Sequence, residues 1–584
     1  MRTSRLLAPA IIIIVLALIY TGGASVQSVL TLTMVYATIG LGWNIIGGYA
    51  GQTSFGHALF VGIGAYTVVL LQREWDVSPL VGVWAGITLA VLAALLIGWP
   101  TFRLSGVYFS LATLAYPLMA MPLLTWLGLQ EVLVPYRNTG GGFYLQFADP
   151  RWLTLCALAL LLVAVGISLR IQKSDFGESL IAIREDAVAA AAAGIHVQRR
   201  KLQAYCVSAA MTAAAGALYA SVLYVVTPDS VFGLLVSVQA LIIPIVGGRG
   251  TVWGPIIGSV LLITLAEQLN AELGSRLPGI NGLMFGAALI LLVLLAREGL
   301  LWRAIDIVAR FRRRRETGGR PPAEAPSHRP DLTELAALTR GAANAERPIL
   351  TVENLRKSFN GVKVLDGVDF EVRPGEILGV IGPNGAGKTT LLNIVNGFVD
   401  ADGGHIRFTD QDVSATPPHE RANLGIGRTF QTPRPLPRCS VERNVQISAL
   451  HRPERSATVR GALRATGLWA RAGAAVGDLD IGELRRLELA RALAGRPAVL
   501  LVDEILAGLS SDQADDIVTL LRAIADQGVA VILIEHTMGA MLRLADRLVV
   551  LEAGTVITSG RPQAVVADSR VVAAYLGSKW SSHA

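Results

Sequence analysis

Residues 377–398 read ILGVIGPNGAGKTTLLNIVNGF. The apolar run Ile377–Ile381 has the pattern of a buried strand. It leads into Gly382-x4-Gly387-Lys388-Thr389, and a helical pattern follows at once. Strand, glycine-rich turn and helix in that order make a concave loop whose backbone N–H groups point inward, a cradle for phosphate oxygens. In such a cradle Lys388 reaches the β- and γ-phosphates of a nucleotide, and Thr389 offers its hydroxyl to Mg²⁺. The competing explanation is a chance glycine-rich turn, which the correctly placed strand and helix disfavour.

Two further apolar runs lie downstream. Ala498–Val502 ends in Asp503-Glu504, and Val529–Ile534 ends in Glu535-His536. Acids at a strand end often only cap the next helix, but behind a phosphate loop they suit Mg²⁺ organisation (Asp503) and polarisation of an attacking water (Glu504). His536 is placed to sense the γ-phosphate. Short β-branched runs alternate with helical segments from 348 to 584, the pattern of an α/β domain.

The rest of the chain differs in kind. Of 584 residues 52% are hydrophobic and 16% charged, and only 16 of the 51 Lys/Arg and 12 of the 44 Asp/Glu lie in residues 1–305. A nearly charge-free half excludes a uniformly soluble enzyme, a secreted disulfide scaffold and a disordered chain. Cys156, Cys206 and Cys439 have no disulfide or metal spacing. The net charge of +7 comes without a basic–aromatic surface pattern, so no nucleic-acid partner is expected. About ten segments are candidate bilayer spans: 6–24, 27–46, 53–71, 79–99, 106–128, 152–169, 202–226, 233–247, 253–270 and 281–302. With Arg2 and Arg5 inside, ten crossings also leave Arg103, the Arg170–Lys201 loop, Arg249 and Arg297–Arg315 inside. Segments 53–71 and 233–270 are rich in Gly and Pro, as broken or re-entrant helices are. His57, inside a span, reads either as a functional group or as a hydrogen-bonding brace for that glycine-rich break.

The expected organisation is therefore a polytopic α-helical membrane domain (1–305), a basic then Pro/Gly/Ala-rich linker (306–347), and a P-loop α/β domain (348–584). Arg312–Arg315 suits an anchor at the anionic inner leaflet. The loop 171–201 reads by composition as a solvated connector or as a short helix that docks on another subunit.

GPNGAGKTT, VDEILAGL and VILIEH, in this order and spacing, resemble the nucleotide-binding domain of ABC transporters over the whole of 348–584. GRTFQTPRPLP with SVERNV, RRLELARAL and SGRP with VVAAYLG are similar to the ATPase subunits of branched-chain amino-acid importers. In the first half, GGYAGQTSFGHALFVGIGAYTVVLL, LSGVYFSLATLAYP, FGESLIAIREDAVAAAAAGI and PIVGGRGTVWGPIIGS look like the permease subunit of the same systems. The resemblance implies that ATP and Mg²⁺ are the cofactors. Gly382, Pro383, Asn384, Gly385, Ala386, Gly387, Lys388, Thr389 and Thr390 would form the phosphate loop, and Phe359 would stack on adenine. Gln431, with Thr389 and Asp503, would ligate Mg²⁺. Glu504 and His536 would be catalytic. Leu479, Asp480, Ile481, Gly482 and Glu483 occupy the signature position, which closes on the nucleotide held by an opposite domain. The 171–201 loop becomes the coupling segment, with Glu185, Asp186 and Gly194 in it.

The implied function is ATP-driven import of branched-chain or other hydrophobic amino acids through the cytoplasmic membrane, with the N-terminus and ATPase inside. Urea, amides or small aromatic acids are alternative substrates, and a homodimeric exporter or a membrane-anchored sensory ATPase are alternative functions. Implied partners are a second permease, a second ATPase, an extracytoplasmic solute-binding protein and the lipid bilayer. Asp480 departs from the usual serine and puts a carboxylate beside a phosphate. A homodimer would repeat that at both sites, so a heteromer is expected. Ile505 and Ser510 depart from the usual Pro and Asp/Asn without touching phosphate, and the stretch Asn444–Leu479 is short for a helical subdomain of this kind.

Overall fold

The computed structural model describes residues 16–104, 106–136, 142–273, 279–295, 330–339, 347–437, 439–450, 452 and 454–576. It divides into two units: residues 1–184 with 198–320, and residues 185–197 with 321–584.

In the first unit the helices are α1 (Ala24–Asn44), α2 (His57–Trp75), α3 (Pro79–Thr101), α4 (Val107–Trp126), α5 (Pro150–Gln172) and α6 (Asp175–Glu185). After α7 (Ala187–Ala192), which belongs to the second unit, come α8 (Val197–Leu223), α9 (Pro228–Phe232), α10 (Leu234–Gly248), α11 (Trp253–Leu273) and α12 (Ile280–Leu295). Helix α1 is buried along most of its length and packs against α5, α10 and α11. By contrast α3 and α4 leave large apolar side chains such as Trp84, Leu96 and Trp126 bare, the face expected of a helix surrounded by lipid. Helices α2 and α8 touch backbone to backbone: a Cβ on Gly64 would lie 2.0 Å from the Ala213 carbonyl oxygen, and one on Gly216 2.2 Å from that of Val61. Small residues permit this contact, which apolar packing in lipid requires.

Seven helical segments among the described residues are long and apolar enough to cross a membrane: 24–49, 79–101, 107–126, 150–172, 197–223, 228–248 and 253–273. Each coincides with one of the ten expected segments. The expected span 53–71 falls on α2, a largely buried helix shortened by an irregular entry. The expected spans 6–24 and 281–302 run beyond the described residues, as do Arg312–Arg315 and most of the linker.

Both glycine-rich stretches contain real breaks. Helix α1 widens into a π-turn at Ile45–Tyr49, and the chain from Gly51 to Gly56 is non-helical before α2. The break between α9 and α10 falls at Gly233, whose extended backbone (ψ 150°) stops one helix and starts the next. Non-helical backbone survives at such depth only where protein satisfies it. Here Trp43 Nε1 donates to the Ser54 carbonyl at 2.8 Å, and the Phe55 amide donates to Thr113 Oγ1 at 3.1 Å.

His57 belongs to this brace. It is fully buried, and its Nε2 lies 2.8 Å from Ser208 Oγ. The Ser208 hydroxyl gives its one proton to the Gly42 carbonyl at 2.7 Å, so His57 Nε2 must carry the proton and donate. The imidazole thereby ties three helices together.

The second unit holds a six-stranded sheet in the order β12-β11-β5-β10-β9-β8 and a four-stranded antiparallel sheet β4-β3-β6-β7. The strands are β3 (Leu350–Phe359), β4 (Val362–Val372), β5 (Ile377–Ile381), β6 (Gly403–Phe408), β7 (Gln411–Asp412), β8 (Ile426–Arg428), β9 (Val499–Asp503), β10 (Ala530–Ile534), β11 (Arg547–Glu552) and β12 (Thr555–Gly560). The two-residue strands β1 (Val132–Leu133) and β2 (Val225–Val226) pair in the first unit. Strands β5, β9 and β10 are buried at every residue, which is why they read as continuous apolar runs. Their mutual pairing is parallel.

One expectation is corrected. The linker expected over 306–347 is not uniformly open, because Leu332–Glu334 forms a 3-10 turn and α13 (Leu335–Leu338) follows. Leu335 and Leu338 are buried in the core of the second unit. The Asp331 amide donates to the Arg464 carbonyl, and Glu334 pairs with Arg464 at 3.1 Å. An apolar pair three residues apart suffices to dock one helical turn, and Ala/Pro-rich surroundings hid it. This segment packs beside the helical region whose own stretch, 444–479, is short.

Candidate nucleotide site

Four neighbouring parallel strands, β5, β10, β9 and β8, end on one edge, and each delivers part of the site there. In an open parallel sheet that carboxyl edge is where ligands bind. From β5 the chain turns at Gly382 (φ 152°), where a Cβ would sit 2.1 Å from the Leu551 carbonyl oxygen, so only glycine fits. Gly385 and Gly387 are also left-handed, and Gly387 opens α14 (Lys388–Asn396). Asn384, Gly385 and Thr389 are exposed at the rim, while Ala386 and Lys388 are buried. The Lys388 ammonium donates to the Gly382 and Pro383 carbonyls at 2.7 and 3.0 Å. Burial pulls its pKa down, and the nearby Glu504 and Asp503 push it back up. Thr390 sits in the first turn of the same helix.

β9 and β10 align Asp503 with Ile534, so Glu504 and Glu535 emerge side by side. Glu504 has φ +46°, a strained backbone for a side-chain-bearing residue and of a kind that concentrates at functional sites. Its carboxylate accepts from Gln431 Nε2 and lies 2.6 Å from His536 Nε2, with the Gln431 bond also 2.6 Å. The three residues expected to surround the γ-phosphate thus form one hydrogen-bonded group.

Asp503 is 2% exposed. One oxygen faces Arg428 Nη2 at 3.6 Å, and Oδ1 has no protein partner among the described residues. Burial raises its pKa and Arg428 opposes that rise. A buried carboxylate oxygen left without a donor, together with the Thr389 hydroxyl and the amide oxygen of Gln431, is a hard oxygen set that suits Mg²⁺. These residues fit that ion.

Sequence reading missed four supporting residues. Arg428 bridges Asp503 and, through Nη1 at 2.7 Å, Asn393 of α14, and its guanidinium lies over Phe398 and Phe430. Glu535 is buried and accepts from the Leu506 amide, fixing the turn after Glu504. Arg485 donates to the backbone carbonyls of Phe430 and Gln431, and so ties the signature helix to the Gln431 loop. Arg471 pairs with Glu483 at 3.2 Å. Charged residues in a basic stretch such as GIGRTF carry no local sign of being buried, so only the fold reveals them.

Phe359 lies at the end of β3, 44% exposed, with the Lys357 ammonium 5.3 Å above its ring. Leu479–Glu483 lead into α16 (Ile481–Ala494). Asp480 caps that helix, accepting from the Glu483 amide at 2.7 Å, while Glu483 accepts from the Asp480 amide at 3.1 Å. This reciprocal capping box gives Asp480 and Glu483 a structural role. A Cβ on Gly482 would meet the end of the Gln513 side chain at 2.8 Å, which would have to shift. Ile505 is buried, and Ser510 caps the next helix with Gln513.

Asp480→Ser is expected to keep the cap, because serine caps about as well as aspartate, and to preserve or raise ATP hydrolysis in the assembled complex. Asp480→Ala removes the cap and is expected to cost about 1 kcal/mol of stability in a thermal melt. A collapse of hydrolysis in Asp480→Ser would show that the carboxylate acts positively.

The residues expected to act in coupling, Glu185, Asp186 and Gly194, lie in the second unit. Asp186 caps α7 and pairs with Arg434 Nη1 at 2.9 Å. Gly194 (φ +86°) accepts from Asn423 Nδ2 at 3.2 Å, and a Cβ there would strike Asn423. Asn423 lies in α15 (Pro418–Leu424), and the His196 and His419 rings are 4.2 Å apart. Glu185, half-buried, ends α6 just before this contact.

A phosphate loop, an acid pair and a histidine on one sheet edge, with a capped signature helix beside them, define an ATP-binding cassette. Residues 365–507 match the family described as "ABC transporter", and residues 25–294 match that described as "Branched-chain amino acid transport system / permease component". The chain is 34% identical over 251 residues to the high-affinity branched-chain amino acid transport ATP-binding protein BraF of Pseudomonas aeruginosa, covering 40% of this chain and 98% of that protein. Against the probable branched-chain amino acid transport ATP-binding protein LivG of Archaeoglobus fulgidus it is 34% identical, covering 40% and 96%. Against the lipopolysaccharide export system ATP-binding protein LptB of Escherichia coli it is 35% identical, covering 39% and 97%. The chain belongs to the ABC transporters, with a permease component of the branched-chain amino-acid type and an ATP-binding component in one polypeptide. It is a membrane protein whose ATPase lies on the cytoplasmic side.

Proposed function

We propose that the chain is half of an importer in the cytoplasmic membrane, crossing it many times and driven by ATP. It would take up branched-chain or other small hydrophobic amino acids delivered by an extracytoplasmic binding protein. The observation that carries this reading is the permease-family match over 25–294. The ATPase half cannot set direction, because it is about as similar to a lipopolysaccharide export ATP-binding protein as to branched-chain amino acid transport ones.

In this reading the phosphate loop and Lys388 bind the nucleotide's phosphates, Phe359 stacks on its base, and Thr389, Gln431 and Asp503 hold Mg²⁺, which supplies charge neutralisation at the phosphates. Glu504 accepts the proton of the attacking water, and His536 orients Glu504 and faces the γ-phosphate. The signature Leu479–Glu483 completes the opposite site of a nucleotide-domain pair. Residues 185–197 transmit closure.

Purification of tagged Glu504→Gln chain from its native membrane with ATP and Mg²⁺ tests the assembly. A different permease and a different ATPase are expected to co-purify. Two copies of this chain alone would overturn the heteromer and reopen the exporter and sensor readings.

The Asp186–Arg434 pair offers a second test. It is partly exposed, so its own stability contribution is small, at most about 1 kcal/mol. Arg434→Asp is expected to lower ATP-driven leucine uptake several-fold while hydrolysis persists. Adding Asp186→Arg is expected to restore uptake.

A further inference from the structure

Strand β3 runs past one of its neighbours. Its pairing with β6 ends at Arg356 and Gly403, whereas its pairing with β4 continues to Phe359 and Val362. A two-residue turn, Asn360 (φ +49°) and Gly361 (φ +85°), joins β3 to β4, so Phe359 occupies the last rung of a hairpin tip. Loop tips are where backbone order is usually weakest. This tip also lies beside the phosphate loop. A Cβ on Gly387 would stand 2.7 Å from the Val364 carbonyl oxygen, two residues along β4 from the partner of Phe359.

Asp402 holds this tip. It stands just before β6, at the end of the chain that leaves α14, and takes over where β6 stops. Its amide donates to the Arg356 carbonyl at 2.9 Å. Its Oδ1 accepts from the Lys357 ammonium at 2.7 Å, and its Oδ2 from the Ser358 amide at 2.7 Å. The Lys357 bond above all, with the Ser358 bond behind it, holds the carboxyl below the usual carboxylate range. Three successive residues of β3 are thereby fastened immediately ahead of Phe359. The Lys357 side chain is 14% exposed, and its ammonium, 5.3 Å from the ring centroid, covers one face of Phe359 in a cation–π contact. Asp402 thus fixes the strand end and, through Lys357, the ring.

We propose that Asp402 is a positioning residue for the nucleotide's base. It sets the plane of the Phe359 ring before nucleotide arrives, and the base takes the face that Lys357 leaves uncovered. The stretch from Gly382 to Asp402 then serves both ends of one ligand: its first residues cradle the phosphates, and its last holds the platform under the base. Preorganisation of this kind raises affinity by removing an ordering cost from the binding step. Its loss weakens a ligand that carries a base and spares one that does not. The proposal rests on the stacking of Phe359 on the base and deepens that reading.

The test uses the full chain in lipid nanodiscs and two probes measured by calorimetry with Mg²⁺: the non-hydrolysable ATP analogue adenylyl imidodiphosphate, and inorganic triphosphate, which has no base. Asp402→Ala is expected to weaken the analogue about ten-fold, within the range that an aromatic–base stack contributes, and to leave triphosphate within about two-fold. Asp402→Asn keeps an acceptor for the Ser358 amide and is expected to retain most of the affinity. Phe359→Ala is expected to weaken the analogue about ten-fold as well. Adding Asp402→Ala to it is expected to change little more, because the two residues act as one unit. The unliganded melting temperature of each variant reports its folding. Where Asp402→Ala melts early, Lys357→Met, which leaves the Ser358 bond in place, decides the matter; it is expected to weaken the analogue about three-fold, and normal affinity there overturns the proposal. An Asp402→Ala chain that binds the analogue normally, or loses triphosphate to the same extent, also overturns it, as does full additivity with Phe359→Ala. In each of those cases a weakened Phe359→Ala leaves the stacking reading standing. Normal affinity in Phe359→Ala overturns the stacking reading itself, and the proposal with it.

Discussion

Glu504→Gln is expected to slow ATP hydrolysis by about 10²–10⁴-fold, the range that loss of a positioned general base produces, while ATP binding is retained. The substitution is close to isosteric. A glutamine at 504 keeps an oxygen for the Gln431 amide, now 2.6 Å away, and keeps its place beside His536. What it lacks is a basic oxygen able to take a proton from water. Phosphate release by the purified complex and affinity for a fluorescent ATP analogue separate the two effects. A rate within ten-fold of the unmodified protein would mean that Glu504 is a structural strand-end acid and that another group activates water.

The second large effect concerns a residue with no role in sequence-based reasoning. Arg428→Met is expected to destabilise the second unit by about 3–5 kcal/mol, because it takes from the buried Asp503, which lies beside Glu504, the guanidinium 3.6 Å away. For a unit of this size that corresponds to a fall of roughly 6–20 °C in the thermal midpoint of the ATPase transition. The double variant Arg428→Met/Asp503→Leu is expected to recover most of that loss, since replacing both members of a buried pair by apolar groups is often neutral. It would still lack Mg²⁺-dependent hydrolysis. If Arg428→Met alone melts normally, the 3.6 Å pair contributes little and Asp503 is held by other groups.

These two predictions divide along what local patterns reveal. The phosphate loop, the acid pair and His536 were legible because each lies at the end of a fully buried strand, and such strands leave an uninterrupted apolar run followed by an abrupt polar residue. Glycines at 382, 385 and 387 were legible for a related reason, as the backbone angles they adopt are nearly closed to other residues. The membrane half announced itself through sparse charge, and its breaks through Gly and Pro. That Asp480 and Glu483 cap the helix reciprocally was shown only by the folded structure.

Long-range pairing left no comparable trace. Arg428 looks like any loop arginine until β8 is laid beside β9, and Arg485 looks like the polar face of a helix until the Gln431 loop packs on it. Leu335 and Leu338 stand in a stretch whose composition favours an open linker; their burial depends on a helix 120 residues further on. Periodicity and backbone geometry are properties of neighbours in the chain and are therefore written in the sequence. Which charges are desolvated depends on residues far apart in the chain, and was settled only when the elements packed.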